Sequence, residues 1–310
     1  MKVINVLTKN LAGTEMDYAI TKMSTLTFFL SVLKWKEFGF TTKIYVDEYY
    51  KKYLTELGVL ELYDEVDDIY LADETLYNSN NINPLYYWSF SKLFVLQNET
   101  EPFIMADVDF IPLKDFNNII INEDELYVYY HERLRGNELS YPNKENLNTA
   151  EDYEFPEWMT WKEKPINACV VYFPNNKEFR ELYVNEAIRY AENNYGDLEE
   201  YDNQALTPRT LFVEQRLFSE VAKYLNIKVN DVKTIYELIF NEKAIHLMQY
   251  KKATKMFWTV PFLEKLNELD EYIFEKLINQ EEFSDEKEYI QENGFNIELP
   301  NMLNRTKWFS

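Results

Sequence analysis

The sequence predicts an α/β protein built on a mixed, mostly parallel sheet flanked by helices. In the first half of the chain, short apolar segments alternate with amphipathic helices, which is the pattern of strand–helix–strand units. A chain of 310 residues with 46% hydrophobic content is long enough to bury a sizeable core. One apolar segment, FIMADVD, runs directly into acidic residues, and ligands collect where the strands of open α/β sheets end. We therefore expect one functional unit with its site at that edge.

Capping residues and apolar spacing place the elements of the first half. A helix is predicted from about Glu15 to Glu37, where apolar residues recur every three to four positions. Asp47 is placed to cap a second helix that stops at Gly58. Asn83 and Pro84 supply the cap and the first position of a third helix, which runs through YYWSFSKLFVL. The strands predicted around these helices are VINVL, KIYV, DDIYL and FIMADVD.

The pattern changes after FIMADVD. YVYYHE and NACVVYF are predicted strands, separated by a polar stretch from Arg133 to Lys164 that is longer than an ordinary connection and is expected to be a functional or flexible loop. Helices are expected from about Lys177 to Asn193 and from about Val213 to Leu225, followed by a short strand, AIHLMQY. From about Phe257 onward the sequence predicts helical packing with a polar tail.

The composition of the chain indicates its cellular compartment and the role of its cysteine. No stretch reaches the roughly 18 to 20 apolar residues of a membrane-spanning helix, since TLTFFLSVLKW is interrupted by Lys34 and Lys36. MKVINVLTKN runs into a strand without the pattern of a cleavable leader. The single cysteine, Cys169, cannot form an internal disulfide, and in NACVVYF a buried strand cysteine is favoured over a nucleophile. We expect a soluble, cytoplasmic protein.

Charge and histidine content exclude two classes of site. The formal net charge of −22 argues against duplex nucleic acid as a partner, because phosphate backbones are bound by lysine and arginine. With two histidines in the chain, a zinc site built on several imidazoles and thiolates is disfavoured. A catalytic metal is therefore expected to be a hard cation held mainly by oxygen.

FIMADVDF is the most specific motif. A buried strand delivers Asp107 and Asp109 at its carboxyl end, and alternate residues of an extended segment point the same way. Mg²⁺ or Mn²⁺ between these carboxylates and a diphosphate would neutralise the charge that develops on a departing phosphate oxygen. Asp-x-Asp also occurs in solvated turns, but two acids placed directly after an apolar strand favour a shared cation.

A family resemblance rests on the same residues. ADVDFIPLKDF, preceded by the helix WSFSKLFVL, resembles the region of GT-A glycosyltransferases in which a helix with a basic residue leads into a strand ending in Asp-x-Asp. The resemblance implies a GT-A fold, a nucleotide-sugar donor, most readily a UDP-sugar, and Mn²⁺ or Mg²⁺ as cofactor. The acceptor that it implies is a glycan, a protein or a small molecule. The resemblance also implies a catalytic domain over residues 1–255, with 256–310 as a C-terminal helical extension packed on that domain.

Three further segments follow the order seen in the family-8-like branch of these enzymes. NACVVYF resembles the Asn-Ala-Gly strand that lines the sugar pocket, although Cys169 replaces the glycine. Glu214 and Gln215 resemble an Asp-Gln pair beside the donor and acceptor sugars. His246, followed by Lys251, resembles the histidine motif that closes over metal and diphosphate.

Carried to this chain, the resemblance assigns metal ligation to Asp107, Asp109 and His246. Contacts with the nucleotide diphosphate fall to Lys251, with Lys92 approaching the nucleotide. A lysine on an exposed helix face and a histidine satisfied in the core are the structural alternatives for Lys92 and His246.

The resemblance assigns Asn167 and Gln215 to hydrogen bonds with sugar hydroxyls. Their structural alternatives are capping of a strand edge for Asn167 and of a helix start for Gln215. Asp202-Asn203-Gln204 has the same character as Glu214-Gln215, which is preferred because it opens the more regular helix. The resembled branch implies retention of anomeric configuration; if the reaction inverts, Glu214 would serve as the base.

Two other functions fit parts of the pattern. A nucleotidyltransferase shares the sheet and the hard metal, but such enzymes resemble one another in a glycine-rich loop after the first strand, where this chain has TKNLAGTEMDYAITK. A catalytically idle carbohydrate- or metal-binding module would keep the fold without turnover. A glycosyltransferase acting on protein, as in some toxins, remains compatible with the acidic charge.

Overall fold

The computed structural model describes most of the first 232 residues and one short strand beyond them. The described residues are 1–8, 22–56, 58–69, 77–80, 82, 87, 89–108, 110–112, 115–132, 134, 141, 143–144, 147, 149, 153–194, 209–232 and 244–246. At positions 22–27, 29–30, 111 and 244–246 the backbone alone is described.

Nine strands form two sheets within these residues. The strands are β1 (Lys2–Leu7), β2 (Thr41–Val46), β3 (Glu65–Asp68), β4 (Phe103–Ala106), β5 (Phe110–Pro112), β6 (Leu126–Val128), β7 (Val170–Phe173), β8 (Val229–Asp231) and β9 (Ala244–His246). Seven of them form one sheet in the order β3-β2-β1-β4-β7-β6-β8, and β5 pairs with β9. In the larger sheet β7 alone runs antiparallel to its neighbours.

The helices begin and end at residues whose chemistry explains the boundary. They are α1 (Lys22–Glu37), α2 (Glu48–Glu56), α3 (Phe90–Asn98), α4 (Lys177–Asn193) and α5 (Leu217–Tyr224), and a π turn (Phe212–Arg216) leads into α5. Asp47 caps α2 by accepting the Tyr50 N–H at 2.8 Å, and Asn176 caps α4 by accepting the Phe179 N–H at 2.9 Å.

Strand alternation divides the apolar core between the two faces of the sheet. On β4, Phe103 and Met105 join the cluster formed with α3, α4 and α5, whereas Ile104 and Ala106 face the other way. This second cluster centres on Trp35 of α1, which is fully buried and lies with Phe110 and Phe116. Helices therefore cover both faces, and the carboxyl edge of the parallel strands is left for polar side chains.

The predicted α/β class and its mostly parallel sheet are confirmed, with shifts at several boundaries. The strand predicted as DDIYL lies earlier, because β3 follows the β2 register from Lys43 opposite Glu65 to Val46 opposite Asp68. YVYYHE contributes only its first part to a ladder, and β5 and β8 are short strands that the sequence does not predict. The cap at Asn83 and Pro84 and the extension at 256–310 lie outside the described residues.

A buried ionic cluster joins β2 to the end of α3. Lys43 Nζ lies 2.6 Å from Asp67 and 2.8 Å from Glu99, and the Tyr45 hydroxyl donates to Glu99 at 2.7 Å. Burial would raise the pKa of Glu99, but the hydrogen bonds from Lys43 and Tyr45 outweigh it and lower that pKa. A lowered pKa stabilises the fold above the carboxyl's unfolded pKa, and this stabilisation is lost as the pH falls through the folded value.

Glu99→Gln is therefore expected to destabilise the protein at pH 7 by about 2 kcal/mol, because Lys43 and Tyr45 lose a charged acceptor while Lys43 keeps its contact with Asp67. The difference from the parent should shrink as the pH falls below about 4, where the carboxyl of the parent also takes a proton. Urea denaturation from pH 7 to pH 3 measures it. Glu181→Gln, in an exposed pair with Lys177, is the control and should change stability by less than about 0.5 kcal/mol. A Glu99→Gln effect that is independent of pH would contradict this account.

Candidate active site

Three strands deliver polar residues to one edge of the sheet. Asp107 directly follows β4 at the carboxyl end of that strand. Because β7 runs antiparallel, with Val170 opposite Ala106, the chain just before β7 reaches the same edge and brings Asn167 there. The segment that follows β6, beginning at Tyr129, also leaves the sheet at this edge. This is the position at which open α/β sheets bind ligands.

Backbone contacts hold Asp107 in place. Its N–H donates to the Cys169 carbonyl at 2.8 Å, and its carbonyl accepts the Phe110 N–H at 3.0 Å. One residue earlier, the Ala106 carbonyl accepts a hydrogen bond of 2.7 Å from the buried side chain of Asn5. The strand end is therefore fixed while the Asp107 side chain stays about one quarter exposed.

Lys92 of α3 links two carboxylates at this edge. Its Nζ lies 2.9 Å from Asp107 Oδ1 and 2.5 Å from Glu214 Oε1. The Lys92 side chain is 20% exposed, so it does not lie on a solvated helix face. Burial would lower the pKa of Lys92, but the charges of Asp107 and Glu214 outweigh it and raise that pKa, which keeps the ammonium protonated.

Glu214 and Gln215 lie in the π turn that opens α5. The Tyr183 hydroxyl of α4 donates to the Val213 carbonyl at 3.1 Å and to the Glu214 carbonyl at 3.2 Å, which anchors the turn. Single π turns are frequent at functional sites, because the extra residue changes where the following side chains point.

Asn167 and Gln215 belong to a second set of contacts, which we call the amide cluster. The Asn167 amide donates to Glu132 Oε1 at 3.0 Å and to the Tyr130 hydroxyl at 3.2 Å, and the Tyr141 hydroxyl donates to Gln215 Oε1. The Ile166 N–H donates to the Gln215 carbonyl at 3.3 Å, which joins the two halves of the cluster. Since Glu214 and Gln215 are neighbours, the amide cluster adjoins the Lys92 ion pairs.

Tyr130, Glu132 and Tyr141 are site residues that sequence reasoning misses. Tyr130 and Glu132 alternate along YVYYHE, so the strand pattern could have placed both on the face that meets Asn167. Tyr141 falls in the long segment from 133 to 164, and no pattern distinguishes it there. Burial raises the pKa of Tyr141, and the nearby Glu132 carboxylate raises it further, so the phenol stays protonated and donates.

An apolar cleft adjoins the ion pairs. It spans about 370 Å³, a volume that includes space open to solvent, and the polar groups in its wall include Lys92 and Glu214. The rest of its lining is mainly apolar, including Met105, Ile166 and Phe173. Low polarity around Lys92 strengthens its attraction to both carboxylates.

The donor chemistry at Asp107 suits a hard cation. This carboxylate lies at a strand end and is already in contact with an ammonium cation, so the position selects positive charge. The described residues do not contain a cluster of three or more histidine, cysteine, aspartate or glutamate side chains that could hold a metal. Asp109, Lys251 and Asp202-Asn203-Gln204, which the sequence also predicts as site residues, lie outside the described residues.

The backbone of His246 is brought close to the acidic motif. In the β5–β9 ladder, His246 lies opposite Phe110, the third residue after Asp107. Ser31 of α1 donates its hydroxyl to the Phe110 carbonyl at 2.7 Å, which fixes β5 against the domain. This backbone pairing therefore brings residue 246, which lies 139 positions after Asp107 in the sequence, next to the acidic motif.

Cys169 is buried, with 3% of its surface exposed, among the apolar residues around Trp35. Burial agrees with a strand cysteine that packs in the core. Among the described residues, no helix is both long enough and apolar enough to cross a membrane.

Comparison with known proteins finds distant structural neighbours alone. Neither a protein-family model nor a curated protein sequence matches the chain. The apo form of mouse xyloside xylosyltransferase 1 aligns over 78% of this chain and 91% of that protein, at 9% identity and a TM-score of 0.40. PaToxG glycosyltransferase aligns over 89% of this chain and 83% of its own, at 11% identity and a TM-score of 0.37. At such low identity and TM-score, the function must be inferred from the residues of the site.

Proposed function

We propose that the chain is a metal-dependent glycosyltransferase that transfers a sugar from a nucleotide-sugar, a UDP-sugar in the first instance, to a glycan, protein or small-molecule acceptor. The observation that carries the proposal is the convergence of Lys92, Asp107, Asn167, Glu214 and Gln215 at the carboxyl edge of the sheet. These residues come from four separate segments, each of which resembles a glycosyltransferase motif at the sequence level.

Asp107, Asp109 and His246 are the proposed protein ligands of Mn²⁺ or Mg²⁺. When bound, the cation would neutralise the charge that builds on the departing diphosphate. Lys251 is proposed to contact the diphosphate. The chain lacks a glycine-rich phosphate loop after β1, so local cations must take over the anchoring that backbone N–H groups provide in such loops.

The amide cluster is proposed to bind the transferred sugar and the acceptor. Asn167 is 4% exposed, and its amide donates hydrogen bonds to Tyr130 and Glu132. We therefore propose two roles for Asn167: it orients these two side chains, and it contacts sugar hydroxyls. Gln215 Oε1 accepts from Tyr141, and the amide hydrogens of Gln215 are proposed to donate to the same sugar. Carboxylate and amide groups fixed in this way suit recognition of hydroxyl groups.

Retention of anomeric configuration is the proposed outcome. In that reaction the departing diphosphate accepts the acceptor proton, and no enzymic base is needed. An inverting reaction would need Glu214 as base, yet its Oε1 lies 2.5 Å from the Lys92 ammonium and is engaged by it. Proton NMR of the product during the first turnovers distinguishes the two anomers.

The donor prediction follows from the lack of a phosphate loop. UDP with Mn²⁺ is expected to raise the melting temperature, since a ligand held at 100 times its Kd stabilises the folded state by about 2.7 kcal/mol. The stabilisation should largely disappear in EDTA. A differential scanning screen of UDP-, GDP-, CMP- and ADP-sugars, with and without Mn²⁺, measures it. If UDP stabilises the protein equally with Mn²⁺ and in EDTA, the proposed metal dependence of donor binding is wrong.

Turnover separates an enzyme from an idle binding module. Release of UDP from a UDP-sugar in the presence of Mn²⁺ is expected, with water as a slow acceptor when no sugar acceptor is supplied. Binding of UDP-sugars with no release of UDP to any acceptor would favour the idle module.

A further inference from the structure

Lys92 lies between two carboxylates in the described part of the site. One ammonium contacts two carboxylates that come from different elements, Asp107 after β4 and Glu214 in the π turn. A divalent cation on Asp107 would lie against this ammonium, and two positive charges at contact distance repel each other in a poorly solvated site.

Glu214 gives Lys92 a second partner. If Lys92 gave up Asp107 and had no other acceptor, a partly buried ammonium would be left without a counter-charge, at a large cost. The contact with Glu214 Oε1 at 2.5 Å allows Lys92 to release Asp107 and remain paired. The lining of the adjoining cleft is mainly apolar, and Glu214 is the one carboxylate among the described residues that line it.

We propose that Lys92 is an internal cation that competes with the divalent metal for Asp107 and thereby sets the metal affinity of the empty site. The inference rests on the proposed function, in which Asp107 is a metal ligand. Lys92 keeps the carboxylate charge neutralised before the donor arrives, and it releases Asp107 but stays paired with Glu214 when the metal binds. The site then takes up metal tightly only when a nucleotide diphosphate supplies further negative charge, which couples the two binding events.

The test is direct Mn²⁺ binding without nucleotide, followed by the electron paramagnetic resonance signal of free Mn²⁺. Lys92→Met removes the charge and keeps an unbranched side chain that suits the apolar lining of the cleft. The affinity for Mn²⁺ is expected to rise by about tenfold or more, because the competing ammonium is gone. Lys36→Gln is the matched control, since Lys36 is paired with the single carboxylate of Asp64 and its loss changes the net charge equally.

A double variant, Lys92→Met with Glu214→Gln, covers two further outcomes. It removes the repulsion between the two carboxylates, so it folds if Lys92→Met alone does not. It also excludes a new site made from both carboxylates, because Asp107 alone keeps its charge. The double variant is expected to bind Mn²⁺ more tightly than the parent.

Unchanged or weaker Mn²⁺ binding by the double variant would overturn the competition. The proposed function fails in a different measurement, namely if the parent protein binds no Mn²⁺ even with saturating UDP. A parent that binds Mn²⁺ with UDP, together with a double variant that gains no affinity, would sink the role of Lys92 and leave the glycosyltransferase proposal standing.

Discussion

Asp107→Asn is expected to abolish sugar transfer, lowering kcat/KM by about a thousandfold, while the protein keeps its fold. The substitution retains the shape of the side chain and removes the charge that would hold the cation, which is worth several kcal/mol in the transition state. The backbone contacts to Cys169 and Phe110 do not involve the side chain and should persist. Release of UDP from a UDP-sugar with Mn²⁺ measures the loss, and circular dichroism checks the fold.

Asp68→Asn is the matched control for this experiment. Asp68 is the last residue of β3 and contacts a lysine, Lys51, at 2.8 Å, so it shares with Asp107 a position at a strand end and an ion pair. Its side chain is 44% exposed and lies on an edge strand, away from the residues of the site. Turnover of this variant should stay within about twofold of the parent. Near-normal turnover by Asp107→Asn would make Asp107 a structural residue rather than a ligand.

The fold could be predicted wherever local chemistry decides the outcome. Asp47 and the apolar spacing of KEFRELYVNEAIRYAEN define helix boundaries through contacts within a few residues, and the structure agrees there. β8 was missed because VND has no apolar alternation and is held by its parallel pairing with β6. β5 was missed because FIP pairs with a strand that lies more than 130 residues later in the chain. Long-range pairing of this kind leaves little trace in a short window of sequence.

The site could be predicted where a local motif marks its residues and less well where packing alone brings them together. Asp107 follows an apolar strand abruptly, so its exposure at a strand end is encoded locally. Tyr141 contacts Gln215 across 74 positions of sequence, and one tyrosine out of 25 is not conspicuous. Lys92 was predicted near the nucleotide, but its bridge between Asp107 and Glu214 depends on the packing of α3 beside the π turn. Sequence reasoning therefore finds the groups that a local motif marks more readily than the groups that orient them.

His246 differs from Tyr141, because the sequence predicts it as a site residue but the structure describes only its backbone. The register of β5 with β9 puts residue 246 opposite Phe110, and the acidic motif directly precedes Phe110 in the sequence. The proposal that His246 completes a ligand set with Asp107 and Asp109 draws on this backbone register.

His246→Ala is expected to lower turnover by about a hundredfold and to weaken Mn²⁺ binding measured in the presence of UDP. Ligation requires the neutral imidazole, so Mn²⁺ affinity of the parent should fall as the pH drops through about 6.5, and the variant should lose most of this dependence. Calorimetric titration of Mn²⁺ into the UDP complex between pH 5.5 and pH 8 measures both effects. The melting temperature without ligands should change little.

The other histidine of the chain supplies the control. His131 contacts Asp231 at 2.5 Å and forms a β-bridge with Ile166, so it pairs with a different segment from His246. His131→Ala should keep the pH dependence of Mn²⁺ binding, because the imidazole at position 246 is still present. If instead His246→Ala binds Mn²⁺ and UDP as the parent does but melts several degrees earlier, the histidine packs in the core. The cation would then be held by the two aspartates alone.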